Sequence, residues 1–249
     1  MALFWKNRYA FLSAPKPIFT VLVAASGNGT RLGGIYKPLL ALDGRPTIAY
    51  ALEAFEKSGF VKQIVVSALE EHIDEVRAAA AEAGITKLTK VVPGGATRTE
   101  SVTKAFRAAF ENKEDITPFV AVHDAARPLI TTKNIDDVFF ACVKYGGAVA
   151  AMKVRDALKK ADLAGVLTEN VERDQMWQMQ TPQAFDTDIF HTSLAVAEQL
   201  GTDAAVDDAA LVMKAGFKVV CVDTGSLNFK VTYPEDIEMA EAILRYRKG

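Results

Sequence analysis

The chain of 249 residues is poor in the side chains that build metal sites and disulfide scaffolds, with two cysteines and three histidines. Cys142 and Cys221 both lie inside apolar stretches. They are expected to be buried reduced thiols, which argues against a disulfide framework. Three histidines spread along the chain do not make a dedicated histidine cage. No apolar run reaches the roughly 18 to 20 residues that a bilayer span requires. A surplus of either charge is missing too: 29 basic against 31 acidic side chains leave a net charge of −2. Proteins that coat the phosphates of nucleic acid carry a broad basic excess, so that class is excluded. Residues 1–17 mix Lys6 and Arg8 with aromatics and are broken by Pro15 and Pro17. They lack an apolar core ending in a small-residue cleavage site, so they read as a surface leader segment and the chain as cytoplasmic.

What is present is apolar material in a regular rhythm. Half of the residues are hydrophobic and 24% are charged, enough for one large core and too apolar for disorder. Strands are expected at Ile18–Ala25, Val61–Ser67, Leu88–Val92, Pro118–Val122, Ala148–Val154 and Lys218–Asp223. Between and after them, helical spacing predicts Thr47–Lys57, Glu70–Ala83, Thr99–Phe110, Thr132–Lys144, Ile189–Gln199, Asp207–Ala215 and Glu235–Arg247. Repeated strand–helix–strand order predicts an α/β fold, a doubly wound and mostly parallel sheet with helices on both faces. The rhythm breaks from Arg155 to Trp177, a charged stretch without an apolar helix face. That stretch predicts a projecting hairpin or arm on a single domain spanning 18–249, with Met176 and Met179 filling the core at its base.

The chemistry gathers where strands end. Ser26-Gly27-Asn28-Gly29-Thr30-Arg31 follows the first strand, with Lys37 six positions beyond Arg31. Glycines there let backbone N–H groups reach phosphate oxygens, and the two cations suit a triphosphate. A dinucleotide-binding turn would need glycine where Leu32 stands and an acid after the second strand, where Val66-Ser67-Ala68-Leu69 has none. A Walker loop fails because no Gly-Lys-Ser/Thr follows. A second cluster, His123-Asp124-Ala125-Ala126-Arg127, closes a buried strand. Such charges are costly there without partners or a ligand: Asp124 can hold a metal ion or pair internally with Arg127. Gly94-Gly95-Ala96-Thr97-Arg98 and Asn228-Phe229-Lys230 add polar groups that can converge on the same sheet edge.

Taken together, these motifs resemble the 2-C-methyl-D-erythritol 4-phosphate cytidylyltransferases over most of Ile18 to Leu244. The resemblance rests on A-A-S-G-N-G-T-R-L at 24–32, G-G-A-T-R-T-E-S-V at 94–102 and V-H-D-A-A-R-P at 122–128. Q-T-P-Q-A-F at 180–185 and N-F-K-V-T-Y-P-E-D at 228–236 complete it. It implies a Rossmann-like nucleotidyltransferase fold, a homodimer with exchanged arms, Mg²⁺, and transfer of CMP from CTP to a polyol phosphate with release of pyrophosphate. It also implies site residues. Arg31, Lys37 and Lys230 are the expected catalytic cations. Ala25, Ser26, Gly27, Asn28, Gly29, Gly95, Ala96, Ser101 and Ala125 are expected to bind the nucleotide, with cytosine read by backbone groups and the Ser101 hydroxyl. Asp124, Arg127 and the partner-donated Arg173 are expected to hold the acceptor, Asp124 doubling as a metal ligand.

The chain also departs from the family pattern. Ala24 stands where proline is usual, Ser26 where alanine is usual, and Pro38 where glutamine is usual. Ala157 and Val206 replace two acceptor-binding threonines, which removes two hydrogen bonds of about 0.5–1.5 kcal/mol each. The CTP half of the site is therefore more fully represented than the acceptor half. Ribitol 5-phosphate or another sugar phosphate as acceptor, and a catalytically weak nucleotide-binding homologue, stand as alternatives.

Overall fold

The computed structural model describes residues 16, 18–27, 34–200 and 205–248. Nearly all of the leader segment, and Asn28, Gly29 and Arg31 of the glycine-rich loop, lie outside the described residues. The first strand, β1 (Phe19–Ala25), is apolar except for Thr20 and buried except at the half-buried Ala24. A short 3-10 turn at Lys37–Leu39 leads to a small hairpin of β2 (Ala41–Leu42) and β3 (Arg45–Pro46). Then come α1 (Thr47–Glu56), β4 (Val61–Ala68), α2 (Ile73–Glu82), β5 (Leu88–Pro93) and α3 (Arg98–Ala109). The next elements are β6 (Phe119–Asp124), α4 (Thr132–Tyr145) and β7 (Gly147–Lys153), followed by a hairpin of β8 (Leu158–Ala161) and β9 (Leu167–Val171). The chain finishes with β10 (Trp177–Asp186), α5 (Thr187–Leu200), α6 (Asp208–Lys214), β11 (Val220–Asp223) and α7 (Pro234–Lys248).

Seven strands form the central sheet in the order β11-β7-β10-β6-β1-β4-β5. β1 runs parallel to β4 and β6, and β11 parallel to β7, while β10 is antiparallel to both of its neighbours. Side chains of β1 alternate between the two faces, as strand geometry requires. Phe19, Val21 and Val23 join one buried cluster with α1, α2 and α4; Leu22 joins the other, with α3, α5 and α6. Phe19 and Phe139 stack with ring centroids 3.8 Å apart at the centre of the first. A third cluster of Leu42, Tyr50, Leu129, Val231 and Leu244 docks α7 onto the β2–β3 hairpin.

Local sequence explains the helix ends near the site. Thr97 caps α3 by accepting from the Glu100 N–H at 3.1 Å, and Glu100 reaches back to the Ala96 N–H at 2.8 Å. The first bond satisfies a helix donor that would otherwise lack a partner, and the second ties the residue before the cap to the first turn. Asp207 caps α6 in the same way, accepting from Ala210 N–H at 2.8 Å. α4 stops where Gly146 adopts φ +87°, a left-handed conformation that costs glycine little.

Several sequence expectations change. The stretch 177–186, for which the pattern predicts no element, is a ten-residue strand inserted in the middle of the sheet. Its pattern is concealed by Pro182, which sits where the β10–β7 register shifts between Met179 and Gln183. The helix expected from Glu70 begins as a 3-10 turn at Glu70–His72 before α2. Cys142 is buried, but Cys221 is exposed, because β11 is the outer strand of the sheet. Met176 and Met179 are 41% and 38% exposed and so do not fill the core. They follow the hairpin, whose Leu163, Val166 and Leu167 are also exposed. Within the stretch 155–177, β8 and β9 form a hairpin held by its own ladder and by a Lys160–Glu169 ion pair at 2.7 Å.

Candidate active site

β1, β4 and β6 run parallel, so their carboxyl ends open on one edge of the sheet, where ligands of such folds bind. A cavity of about 510 Å³ lies there, within the range of small-ligand sites. Its walls come from Ala24–Gly27 after β1, Gly95–Arg98 around the start of α3, and Asp124–Ala126 at the end of β6. Lys37 and Lys230 close it from the flanks.

The glycine wall is tightly fitted. A Cβ at Gly94 would lie 2.3 Å from the Ser26 Cβ, so only glycine lets the two loops touch. The Ser26 hydroxyl donates to the Ser101 hydroxyl at 2.7 Å. Ser101 also accepts from Gly95 N–H at 2.9 Å and donates to the Thr97 carbonyl at 2.9 Å. Both lone pairs and the single proton of Ser101 are thereby used. With its hydroxyl so engaged, Ser101 stands behind the Gly95 wall of the cavity. Here it clips the two loops together, and it meets a base only by exchanging the bond from Ser26.

Charge is concentrated on the opposite wall. Asp124 Oδ2 lies 3.0 Å from Lys230 Nζ and 3.6 Å from Arg127 Nε, and Asp124 Oδ1 lies 3.3 Å from Arg98 Nε. Arg98 also reaches Asp208 Oδ2 at 2.7 Å, from the first turn of α6. Burial alone would raise the Asp124 carboxyl, but Arg98, Lys230 and Arg127 outweigh it and hold it far below the ordinary range. Burial works against the Arg98 charge, yet Asp208 and Asp124 raise its guanidinium above its ordinary value. Asp208 is raised, its burial exceeding the pull of Arg98. Three cations against two carboxylates leave the cluster with a surplus positive charge, which suits an anionic ligand.

Beneath this cluster His123 is fully buried. The Thr181 hydroxyl accepts from Asp124 N–H at 3.1 Å and lies 3.0 Å from His123 Nδ1. Having accepted from Asp124, it gives its proton to Nδ1, which leaves Nε2 protonated and 3.3 Å from the Arg127 carbonyl. Burial pulls the imidazole down to about 4, so it is neutral at physiological pH. Lys37 is buried at the 3-10 turn and donates to the Val231 carbonyl at 3.2 Å, tying that turn to the segment before α7.

The arrangement offers fixed cations, backbone donors and a carboxylate. No serine, cysteine or histidine is set up as a nucleophile among the described residues lining the cavity. A family model described as 2-C-methyl-D-erythritol 4-phosphate cytidylyltransferase matches residues 19–246. The chain belongs to that family. A cytidylyltransferase of this name from Bacillus cereus (strain ATCC 14579) is 38% identical over 235 residues, 93% of this chain and 100% of the relative. That of Halalkalibacterium halodurans is 36% identical over 230 residues, covering 91% and 96%. The solved structure of the Thermus thermophilus cytidylyltransferase has a TM-score of 0.73 at 30% identity, covering 91% of this chain and 98% of that one. The Anaerococcus prevotii 4-diphosphocytidyl-2C-methyl-D-erythritol synthase has a TM-score of 0.80 at 22% identity, covering 95% and 99%, and speaks to the fold.

Within this cytidylyltransferase framework the expected site residues divide into groups. Ala25, Ser26, Gly27, Lys37, Gly95, Ala96, Asp124, Ala125 and Lys230 all line the one cavity. Arg127 does not. Its guanidinium is turned inward, donating to the Asn228 carbonyl at 2.9 Å, so it braces the Asp124 turn against the segment carrying Lys230. The internal Asp124–Arg127 pair is thus present, as one contact of a larger cluster. Arg173 sits on the arm side, bonded to the Arg155 carbonyl and away from its own chain's cavity. Sequence reasoning placed Arg98 and Asn228 among the polar groups of the sheet edge without naming their partners, and it gave no role to Asp208, Thr181 or Gln180. Only R-T-E after the paired glycines and the polar Q-T-P run hinted at them, since their pairings join distant segments.

Proposed function

We propose that this chain transfers a cytidylyl group from CTP to 2-C-methyl-D-erythritol 4-phosphate and releases pyrophosphate, in the cytoplasm, for isoprenoid precursor synthesis. The observation that carries the reading is the meeting of Lys37, Lys230 and Asp124 around one glycine-walled cavity in a chain of this family. An acceptor phosphate oxygen is ionised at neutral pH, so no general base is required. It attacks the α-phosphorus, a new P–O bond forms, and the bond to the β-phosphate bridging oxygen breaks, pyrophosphate leaving with the electron pair. The protein's part is in-line placement and charge stabilisation. Lys230 and Lys37, with Arg31, are assigned to the charge that builds on the transferring phosphoryl group. Backbone groups of Ala25, Gly95 and Ala96 are assigned to cytosine, which a small glycine-walled pocket would favour over a purine.

Magnesium fits the donor set in a limited way. Among the described residues no group of three or more His, Cys, Asp or Glu side chains can hold a metal ion. Asp124 is a carboxylate of the cavity wall with lone pairs beyond its present contacts. A hard cation that keeps its waters and rides on triphosphate oxygens needs no more than that one protein donor. When bound, the ion screens phosphate charge.

Residues 18–249 are assigned to one nucleotidyltransferase domain, with an arm at 155–177. The exposed apolar tip of the arm favours pairing with a second copy, which would bring Arg173 to the acceptor side of the neighbour's cavity. No helix of the described residues is long and apolar enough to cross a membrane. The test is pyrophosphate release from each of the four ribonucleoside triphosphates with methylerythritol 4-phosphate, ribitol 5-phosphate and related acceptors. Release confined to CTP with the first acceptor supports the reading. A preference for ribitol 5-phosphate reassigns the acceptor, and silence toward all acceptors rejects transfer.

A further inference from the structure

The strand missed by sequence pattern carries a polar network that the transfer chemistry does not use directly. At the register shift in β10, Gln180 and Thr181 turn inward, 5% and 3% exposed. The Gln180 carbonyl oxygen accepts from Asn228 Nδ2 at 3.0 Å and from the Thr224 hydroxyl at 2.9 Å. Its Nε2 donates to the Gly225 carbonyl at 2.9 Å. The orientation of the amide follows from these partners, because a carbonyl at Gly225 demands a donor and the Asn228 amide nitrogen demands an acceptor. The second Asn228 proton goes to the Thr181 carbonyl at 2.8 Å. One glutamine therefore grips both ends of 224–228, the segment that delivers Lys230.

Lys230 is held between two pins. Upstream, the Asn228 side chain is fastened to β10 through Gln180 and the Thr181 carbonyl. Downstream, Val231 N–H donates to the Ala126 carbonyl at 2.8 Å. Between them the Lys230 ammonium reaches Asp124 at 3.0 Å on the cavity wall. Gln180 and Asn228 do not line that cavity. A buried amide with three partners tolerates no rotation that keeps all three, so it acts as a fixed stop.

We propose that Gln180 is a positioning residue: by seating Asn228 it sets where the Lys230 ammonium enters the cavity, and through that the rate of the transfer step. Hydrophobic side chains of the same size would fill the space but release Asn228, Thr224 and Gly225 together. A glutamate would keep the two acceptor bonds and lose the donor to Gly225. The role rests on the transfer reading for its kinetic consequence and on geometry alone for the placement of Lys230.

The test has two arms on the full-length chain. In the kinetic arm, Gln180→Ala lowers kcat for pyrophosphate release about tenfold, with the KM for CTP changed less than about twofold. In a Lys230→Met background the same substitution has no further effect on kcat, the non-additivity expected when one residue acts through another. In the second arm, trace acetylation and mass spectrometry follow individual lysines without any turnover. Lys230 labels at least about threefold faster in Gln180→Ala, while Lys62 and Lys113 keep their wild-type rates. Thr224→Val, which removes a hydroxyl shared between Gln180 at 2.9 Å and the Ala151 carbonyl at 3.3 Å and leaves the other two Gln180 bonds, gives a smaller change of the same sign and serves if Gln180→Ala does not fold. Equal loss of kcat in both backgrounds, or unchanged Lys230 labelling in a variant with wild-type circular dichroism, overturns the proposal. A wild-type chain silent toward every acceptor defeats the transfer reading instead, and labelling then decides the placement by itself.

Discussion

Acidification from pH 7.5 to 5.0 singles out His123. The imidazole is fully buried, with the edge of the Phe55 ring 5.0 Å away between centroids. Burial is the main force against its charge; Asp124 raises it, while Arg127 and Lys230 add to the lowering. Its value of about 4 lies below the 6.5 of a free imidazole. The unfolded chain therefore takes up this proton first. The contribution to stability is whole above about pH 6.5 and shrinks as pH falls toward 4. Each pH unit in that window costs about 1.4 kcal/mol, so one and a half units to pH 5.0 cost about 2 kcal/mol. Protonating Nδ1 also sets two donors face to face, because the Thr181 hydroxyl already spends its proton there. The assay is urea unfolding followed by circular dichroism at pH 7.5, 6.5, 5.5 and 5.0, on the wild-type chain and on His123→Gln. Glutamine has no proton to take up, and carboxylates and exposed histidines titrate alike in both chains. The variant is less stable at pH 7.5, and the gap closes by about 2 kcal/mol at pH 5.0. Parallel loss of stability in the two chains across that range would refute the buried neutral imidazole.

Lys37→Ala and Lys230→Ala each lower kcat for pyrophosphate release about 10²- to 10³-fold while circular dichroism is unchanged; turnover within threefold of wild type removes them from the transition state. Asp208→Ala leaves Arg98 short of its 2.7 Å partner and destabilises the fold by about 3 kcal/mol in urea titrations, whereas a loss below about 0.5 kcal/mol contradicts a buried pair. Gly94→Ala forces the Ser26 loop away and lowers kcat/KM for CTP about tenfold or more, and adding Ser26→Gly restores it, since the Ser26 side chain is the nearest obstacle at 2.3 Å. Failure of that rescue places the strain elsewhere. One thiol per folded chain, Cys221, reacts with a disulfide reagent, and the second appears only after unfolding, because Cys142 is fully buried.

The parallel half of the sheet was legible because its strands are buried on both faces and read as apolar runs. Phe19–Ala25 and Val61–Ala68 need no alternation to be recognised. β10 was not legible for the converse reason. Trp177–Gln183 alternates with polar side chains that serve hydrogen bonds inside the fold, and its proline suggests a loop. The site was readable at Lys37, Asp124 and Lys230, where charge stands in motifs at strand ends. The pairings that hold those groups were not readable, since Arg98 meets Asp208 and Gln180 meets Asn228 only after the sheet has formed. The Ser101 hydroxyl adds a pairing of the same kind, since it meets the Ser26 hydroxyl from a loop 75 positions away.

Lys37 donates to the Val231 carbonyl across 194 positions of sequence. Two distant parts of the chain are thus joined at one flank of the cavity. During synthesis the glycine-rich loop leaves the ribosome long before Asn228–Val231 is made, and domains assemble from their N-terminal side as they emerge. A nascent chain, or one cut short before that segment, lacks both the Val231 carbonyl that seats Lys37 and the Lys230 ammonium opposite Asp124. The wall that faces Asp124 is therefore completed only when the last strand-to-helix segment of the chain has been made.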